Sequence, residues 1–421
     1  MGVPNDDLVI IEQGKKPTVI TVNCPDKTGL GCDLSRIILE FGLSISKGDV
    51  STDGRWCYIV LWVDSNNPSI TNVVRWENLK ERLVSVCPSC LSPFIYFNPQ
   101  PNPPKPSPVY LLEFCCVDRK GLLHDVTQIL SELELLIQRV KVMTTPDDKV
   151  VDLFFITDCM ELLHTKERQD ETCKQLKYVL GESCISCELK SLGPEYEPLQ
   201  QGVATLSPQV SDELFSCQLS DMETRSQALS ADLTKLKKTT ILVDDYLSPS
   251  HTLLQIHCVH QKGLLYDIMR MSKDCDIKIA HGRFSSNIKG YRNIDLLIQQ
   301  NDGKKISDPE KQSILCARLK MEMLHPLRVA ISNRGPDTEL WVANPVEASG
   351  KGRPRVFYDV TLALKVLGIC IFSARIWRHS TSDREWEVYR FLLDENPKFP
   401  FTSSRAREQI VDRVRRTLMG W

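Results

Sequence analysis

Apolar and polar positions along this chain follow two periods that alternate. From Gly29 to Phe41 the apolar side chains recur at helical spacing, whereas from Leu43 to Thr52 and from Arg55 to Asp64 they alternate singly. Asp53 and Gly54 join the latter two stretches and are typical of a hairpin turn. The pattern predicts a helix followed by two antiparallel strands.

The pattern extends on both sides into a complete unit. A strand is predicted from Thr18 to Val22, and the hairpin is followed by a helix from about Ile70 to Val86 and a last strand near Phe94 to Phe97. The order β-α-β-β-α-β is that of the split βαβ or ferredoxin-like unit. Because the strand from Arg55 to Asp64 is apolar on both faces, both faces are predicted to be buried.

The same order recurs and divides the chain into four blocks, at residues 17–97, 109–190, 251–332 and 338–421. Block three is expected to end with a strand from Leu327 to Ile331. The sequence ends where a fourth strand of block four is expected, so that block is either incomplete or completed by a neighbour. The predicted fold class is α+β, with four ferredoxin-like units in two tandem pairs joined by a long linker.

One eight-residue motif lies between the first strand and the first helix of each block. It runs from Asp118 to Asp125 in block two, with close copies from Asp26 to Asp33 and from His260 to Asp267, and a fainter copy from Gly352 to Asp359. The spacing within the first two copies equals the spacing within the last two, which indicates two tandem pairs.

The motif contains groups suited to hold a free amino acid. Gly29 and Gly121 permit a positive φ or the close approach of a ligand to the backbone. The N-terminus of the following helix favours a carboxylate, and Asp26 and Asp118 offer acceptors for an ammonium group. A simpler interpretation stays open, in which Asp caps the helix and Gly only makes the turn.

Two stretches interrupt the blocks. Residues 98–108 contain six prolines and are predicted to be an extended tether. Residues 191–250 are rich in Ser, Gln and acidic residues and form a linker, with short elements predicted at Asp212 to Leu219 and at Thr239 to Val243. The linker is either a plain spacer or a segment that carries phosphorylation or a partner-binding motif.

Composition and charge exclude several classes of protein. With 42% hydrophobic and 25% charged residues, the chain is typical of a globular protein with room for two to four domains. The 52 basic and 54 acidic side chains give a net charge of −2, which argues against nucleic acid or an anionic membrane as a partner. No apolar run is long enough to span a bilayer.

Cysteine usage bears on the compartment. Sixteen Cys without a secretory signal fit a reducing, cytoplasmic environment, and entry into the nucleus stays open. Cys87 with Cys90 and Cys184 with Cys187 have the C-x-x-C spacing, but the two pairs lie too far apart for a zinc ribbon. Neither a metal nor a cofactor is expected.

The repeated motif in ferredoxin-like units resembles the ACT domains of the plant ACT-domain-repeat (ACR) proteins, of the shorter-member type, and those of the bacterial sensor GlnD. The resemblance covers nearly the whole chain outside the linker. It implies regulatory binding of free amino acids at interfaces between paired ACT units, through the strand-to-helix loop. The residues that would take this role by position are Asp26, Gly29, Leu30, Asp118, Arg119, Gly121, Leu122 and Gly263.

Blocks three and four depart from the motif. His260 and Gly352 replace the loop Asp, and Arg355 replaces the Gly, so neither loop keeps the acceptor for an ammonium group. These blocks could serve dimerisation or a protein partner instead. Lys351, Arg353 and Arg355 form either an anion-holding loop or a solvated basic loop. The acid that ends each motif is explained by the dipole of the helix and by packing against the loop.

The predicted function is that of a non-catalytic amino-acid sensor with its ligand at the interface of blocks one and two, read by a protein partner. The alternative is an ACT-based interaction scaffold that has lost ligand binding; a homodimer is open in both cases. An RNA-binding role has little support, because the aromatic pair of Trp56 and Tyr58 is not repeated in the other blocks. No catalytic motif is present, so an enzyme is not expected.

Overall fold

The computed structural model describes residues 7–14, 16–65, 74–88, 108–145, 149–192, 206–215, 238–286, 290–334, 337–347, 350–394 and 403–421. The strand predicted at Phe94 to Phe97 and most of the tether lie outside the described residues, as does much of the linker. The described chain is α+β, as predicted, with strands in two eight-stranded antiparallel sheets and helices packed against them.

Sixteen strands and nine α-helices are present in the described residues. The strands are β1 Val9–Glu12, β2 Thr18–Pro25, β3 Leu43–Thr52, β4 Trp56–Ser65, β5 Tyr110–Val117, β6 Leu135–Thr144, β7 Lys149–Asp158, β8 Cys184–Ser191, β9 Thr240–Asp244, β10 Thr252–Val259, β11 Ile277–Ser286, β12 Tyr291–Gln300, β13 Arg328–Arg334, β14 Asp337–Pro345, β15 Cys370–Ser380 and β16 Glu385–Asp394. The helices are α1 Leu30–Glu40, α2 Trp76–Val86, α3 Leu122–Glu132, α4 Lys166–Leu180, α5 Pro208–Phe215, α6 Leu264–Asp274, α7 Pro309–Leu324, α8 Val356–Leu367 and α9 Ser404–Met419.

The chain divides into two compact units, each drawn from three separate segments. Unit 1 takes residues 1–100, 219–326 and 347–354, and unit 2 takes residues 101–218, 327–346 and 355–421. The sheet of unit 1 has the order β1-β2-β4-β3-β11-β12-β10-β9, and that of unit 2 has the order β13-β14-β16-β15-β6-β7-β5-β8. Each sheet therefore joins two blocks through their second strands.

The blocks that share a sheet are not neighbours in the sequence. In unit 1, β3 of block one pairs with β11 of block three, and in unit 2, β6 of block two pairs with β15 of block four. The prediction of a pair made by blocks one and two was wrong. Repeat spacing identifies equivalent blocks but not their partners, and the entropy cost of closing a long connection grows only slowly with its length.

The edge strands also differ from the prediction. The strand predicted at Leu327 to Ile331 as the end of block three is β13, which pairs with β14 and completes block four. Blocks one and three obtain their edge strands from the preceding segments, β1 and β9, whereas β8 follows block two in the predicted way. The first strand of each block has an open edge whose backbone groups need a partner. A short segment of alternating polarity can pair there whether it precedes or follows the block in the sequence.

Each sheet packs one face against helices. In unit 1, helices α1 and α6 lie side by side over the sheet, and α3 and α8 do the same in unit 2. The opposite face of β4 is open, since Trp56 is 43% and Tyr58 is 50% exposed, so the prediction that both faces are buried was wrong. In unit 2, helix α5 covers part of that opposite face by packing Val210 and Leu214 against Trp341.

Within the described residues, no helix is long and apolar enough to cross a membrane. The same residues contain no group of three or more His, Cys, Asp or Glu side chains placed to hold a metal ion.

Candidate ligand sites in the two units

The motif turns in the same way in all four blocks. Gly29, Gly121 and Gly263 lie at the N-cap of the following helix with φ of 83°, 76° and 73°. Arg355 lies at the equivalent position with φ of 63°. This conformation is energetically unfavourable for any residue that has a side chain. Three of the four loops therefore use Gly where the backbone requires it.

A basic side chain from outside each block lies against each of these glycines. A Cβ added to Gly29 would meet the side chain of Lys273, and one added to Gly121 would meet that of Lys365, in each case at 2.9 Å. At Gly263 the contact at 2.9 Å is the guanidinium of Arg353. In the structure, the close approach that Gly permits is made by the protein itself.

The block-two loop borders a cavity in unit 2. Its volume is about 380 Å³ including its opening to solvent. The predicted residues Asp118, Arg119, Gly121 and Leu122 line it together with Thr361 and Lys365 of helix α8, Val142, Val150 and Asp152 of the sheet, and the start of β15.

Asp152 is the unusual residue of this cavity. Its side chain is 0% exposed, and neither carboxyl oxygen has a hydrogen-bond partner in the described part of the chain. Burial, and to a lesser degree the negative charge of Asp118, raises the pKa of Asp152 well above its usual value. A donor from a ligand or a water molecule can satisfy a buried carboxyl of this kind.

Two cations of the cavity lining, Arg119 and Lys365, are ion-paired with Asp125. Asp125 Oδ1 lies 2.7 Å from Lys365 Nζ, and Asp125 Oδ2 lies 2.6 Å from an Arg119 guanidinium nitrogen. Burial opposes ionisation of Asp125, but these hydrogen bonds outweigh it and lower the pKa of that carboxyl. The acid that ends the motif thus ties the loop to helix α8, in addition to facing the helix dipole.

His124 borders the same cavity from the start of α3. It lies 3.2 Å from Thr361 Oγ1 through Nδ1, and its ring contacts Tyr358. Burial and the charge of Lys365 lower the pKa of His124 to about 4, so the imidazole is neutral near pH 7.

A second cavity occupies the equivalent place in unit 1. It measures about 520 Å³ including its opening. The block-three loop contributes His260, Gln261 and Gly263, and the remaining walls come from α1, the start of β3, Leu264 to Tyr266, Phe284, Arg292 and Ile294.

The polar floor of this cavity is cationic. The Arg292 guanidinium donates to His260 Nδ1 from Nε at 3.0 Å, and its terminal nitrogens donate to the backbone carbonyls of Ile45 and Ser46. Burial, and then the charge of Arg292, lowers the pKa of His260 to about 4, so His260 accepts from Arg292 as a neutral ring. Gln261 is only 2% exposed, and its amide has no hydrogen-bond partner among the described residues.

The block-one loop is placed differently. Asp26 accepts a hydrogen bond from Thr52 Oγ1 at 2.6 Å, and Leu30 lies in the core of unit 1. Asp26, Gly29 and Leu30 line neither of the two cavities. The ligand-binding role of the predicted residues stays a prediction, and the structure brings together four of them, in unit 2.

In the basic loop before α8, Arg353 is buried, Arg355 is half-buried and Lys351 is exposed, so the interpretation as a solvated loop was wrong for Arg353. Arg353 lies 3.2 Å from Asp267 Oδ2 and donates to the carbonyl of Lys262 at 2.5 Å. Arg355 donates to Ser131 Oγ at 2.7 Å. The loop binds protein groups within the described residues.

Glu347, at the start of that loop, centres a buried charge cluster in unit 1. Its carboxylate is 0% exposed and accepts from the Tyr266 hydroxyl at 2.9 Å and from Lys273 Nζ at 3.3 Å. Arg36 Nε lies 3.9 Å away. The segment at 347–354 is therefore a structural part of unit 1.

Sequence reasoning missed Asp152, Lys365, Gln261 and Arg292. A signal existed for Asp152 and Arg292, because each is a charged residue on the core-facing row of a strand whose adjacent members in that row are apolar. No signal existed for Lys365, whose role depends on which block lies opposite.

Comparisons with known proteins place the chain in a family. Residues 10–88 match "ACT domain-containing protein ACR10, N-terminal", residues 110–173 match "ACT domain", residues 240–337 match "ACR9-like, ACT-like domain" and residues 338–420 match "ACT domain-containing protein ACR9, C-terminal". The chain is 63% identical over 426 residues to ACT domain-containing protein ACR9 of Arabidopsis thaliana, with full coverage of both chains. It is 48% identical over 429 residues to ACR10 of the same plant, again with full coverage, and 21% identical to ACR8 over 80% of this chain and 72% of that protein. The chain belongs to the ACR family of ACT domain-containing proteins.

Proposed function

We propose that this ACR-family protein is a non-catalytic regulatory protein that binds a free amino acid in the unit 2 cavity. The observation that carries the proposal is the buried carboxyl of Asp152, which lacks a hydrogen-bond partner among the described residues and lines the same cavity as Asp118. An ammonium group supplies up to three donors and a positive charge for these two carboxyl groups.

The cavity has both polarities that a zwitterion requires. Asp118 and Asp152 take the ammonium group, and Arg119 and Lys365 supply positive charge for the α-carboxylate. Lys365 is 42% exposed at its side chain and flexible, so it can turn from Asp125 toward a ligand. The N-terminus of α3 reinforces the same carboxylate site.

Such a ligand would couple blocks two and four. A dissociation constant between micromolar and millimolar corresponds to about 4 to 8 kcal/mol. A ligand held by the block-two loop on one side and by α8 on the other favours the arrangement in which the two blocks meet. A protein partner that recognises this arrangement would read the amino-acid level. A cytoplasmic or nuclear location for that event stays a prediction.

Calorimetry with the twenty amino acids tests the proposal on the full chain. We expect one or a few of them to bind, and binding to weaken about tenfold or more in Asp118→Asn and Asp152→Asn, because each variant removes a charge-assisted hydrogen bond. Asp383→Asn, an exposed acid of unit 2, is the matched control and should bind as the unaltered protein does. Absence of heat with every amino acid at about 10 mM would refute the proposal, and so would binding that persists in both cavity variants.

A specific observation favours a second function, that of an interaction scaffold without a ligand. Gly29, Gly121 and Gly263 are all contacted by basic side chains of the protein, so their conformation needs no ligand. Lys365→Ala separates the two functions, because it uncovers the Gly121 loop. A scaffold shows no amino-acid binding even in this variant, whereas in a sensor the variant retains ammonium recognition with weakened affinity.

A further inference from the structure

We propose that the unit 1 cavity is a second ligand site of opposite polarity, which binds a small aliphatic carboxylate without an ammonium group, such as a 2-oxo acid. This site is distinct from the amino-acid site proposed for unit 2. Four features of its lining carry the inference.

The first feature is a buried positive charge that makes no direct ion pair within the described residues. Arg292 is buried, and it donates to backbone carbonyls and to the neutral ring of His260. No carboxylate among the described residues lies within ion-pair distance of it. The negative charge of Asp64 acts on Arg292 from beyond ion-pair distance. A buried guanidinium without a direct ion pair favours an anion in the adjoining cavity.

The second feature is the polarity of His260. Because Nδ1 accepts from Arg292, the neutral ring carries its proton on Nε2 and is a donor there. Block two has the acceptor Asp118 at this position of the motif, so the change from Asp to His exchanges an ammonium acceptor for a hydrogen-bond donor. A carboxylate gains from this exchange, whereas an ammonium group loses its partner.

The third feature is the amide of Gln261. Both its nitrogen and its oxygen are buried without a hydrogen-bond partner among the described residues, and the residue lines the cavity. Leaving such groups unpaired is costly in a folded protein. A carboxylate oxygen of the ligand accepts from the amide nitrogen of Gln261. A water molecule or a protonated ligand group donates to the amide oxygen of Gln261.

The fourth feature is an apolar wall. Ile38 and Leu39 of α1, Leu43 of β3, and Leu264 and Phe284 of block three surround the remaining space. An aliphatic tail buries its surface here at a gain roughly proportional to its area. The site therefore suits a branched or straight aliphatic carboxylate better than a highly charged one.

The four features together discriminate between an amino acid and its 2-oxo counterpart. The two share the carboxylate and the carbon skeleton, but the amino acid brings a positive charge into a cavity lined by the Arg292 guanidinium and by no carboxylate of the described residues. The 2-oxo acid brings a carbonyl oxygen, which accepts from the side-chain amide of Gln261. Unit 1 is therefore expected to prefer the molecule that unit 2 rejects.

Titration of the full chain with 4-methyl-2-oxopentanoate and with leucine tests the proposal, since these probes share one skeleton. We expect the 2-oxo acid to bind and leucine to bind this site about tenfold or more weakly, and Gln261→Leu to weaken binding of the 2-oxo acid by a similar factor. Gln261→Glu places a carboxylate beside Arg292 and should abolish binding of the 2-oxo acid. Circular dichroism confirms that each variant is folded, and the second variant serves if the first does not fold.

Asp152→Asn is the control that separates the two sites. It should leave binding of the 2-oxo acid unchanged, whatever it does to binding of an amino acid in unit 2. The proposal is overturned if 4-methyl-2-oxopentanoate fails to bind at about 10 mM, or if both Gln261 variants bind it normally. Loss of its binding in Asp152→Asn alone would also overturn it, by placing the ligand in unit 2.

Discussion

The two cavities occupy the same place in their units and differ in the charge of one strand. Two residues before the motif, Cys258 of block three pairs with Arg292, and Cys116 of block two pairs with Val150. Unit 1 thus has the charged Arg292 where unit 2 has the apolar Val150. Two residues further along the same strands, unit 1 has the apolar Ile294 where unit 2 has the charged Asp152. The fold fixes where a cavity forms, and two positions on one strand set the polarity of what it can hold.

The junctions between paired blocks differ as well. In unit 1, Gly48 to Ser51 pair with His281 to Phe284, and Asp49 faces Arg283 with an ion pair of 3.3 Å. In the described part of unit 2, the register between the blocks contains one pair, in which Lys141 faces Arg375. Like charges directly opposite one another in a sheet are destabilising. The block interface of unit 2 is therefore the weaker strand junction of the two.

The largest expected effect comes from the charge cluster around Glu347 in unit 1. Glu347→Ala removes the acceptor of Tyr266 and Lys273 and leaves buried donors without a partner, which costs about 3 to 5 kcal/mol. Denaturant unfolding, with hydrogen exchange measured by mass spectrometry, should show faster exchange in unit 1 while unit 2 is unchanged. Glu310→Ala, an exposed acid of the same unit, is the control, and equal protection in the Glu347 variant would contradict the prediction.

Substitution of the loop glycines Gly121 and Gly263 tests how rigidly the basic side chain against each glycine is held. Gly121→Ala and Gly263→Ala should each lower the free energy of unfolding by about 1 to 2 kcal/mol, because alanine is strained at a positive φ. Gly263→Ala should cost more, because Arg353 is buried and bonded to Asp267, whereas Lys365 is half exposed and can move. The free energies of unfolding measure the difference, and the double variant Gly263→Ala/Arg353→Ala should show non-additivity. Equal costs at the two glycines would show that the covering side chains do not matter.

An effect of intermediate size concerns pH and is specific to unit 2. Burial, and then the charge of Asp118, raises the pKa of Asp152 in the folded state, so the folded protein holds a proton that the unfolded chain releases above about pH 4. The free energy of unfolding therefore falls as pH rises from about 4 through the raised pKa of Asp152. Asp152→Asn removes this dependence, and its stabilising effect should grow with pH. Denaturant midpoints of both proteins at a series of pH values test this, and a difference that does not change with pH would contradict it.

The smallest effect concerns the junctions. Lys141→Glu places an opposite charge beside Arg375 and should stabilise unit 2 by about 0.5 to 1 kcal/mol, and less at high salt. Asp49→Lys makes the reverse change in unit 1 and should destabilise it by a similar amount. Hydrogen exchange in β6 and in β3 reads the two junctions separately. A stabilising effect of both variants would show that charge does not distinguish the junctions.

Local patterns predicted the elements well, and non-local contacts escaped them. Strand β3 has the predicted bounds and α1 differs by one residue at each end, because alternation and helical spacing are properties of the segment itself. The exchange of β13 into block four was not predictable, since a strand with an apolar row can join any open edge. The loop residues of the unit 2 cavity were found from the motif, but Lys365 and Thr361 enter it from a block that the repeat spacing did not identify as the partner.

The strand order of each sheet is symmetric about its centre. When strands are numbered within their block, each half runs from the edge strand through the first and third strands to the second strand, and the two second strands meet in the middle. That order is the signature of a two-fold dimer, here with both partners on one polypeptide. A true homodimer must repeat any change twice, once in each copy. Covalent fusion removes that constraint. A charged residue such as Asp152 or Arg292 can therefore arise in one block, while the equivalent position of the other blocks keeps a different side chain. A cut between blocks two and three would yield two fragments that each retain half of both sheets, and the protein would then depend on concentration to assemble.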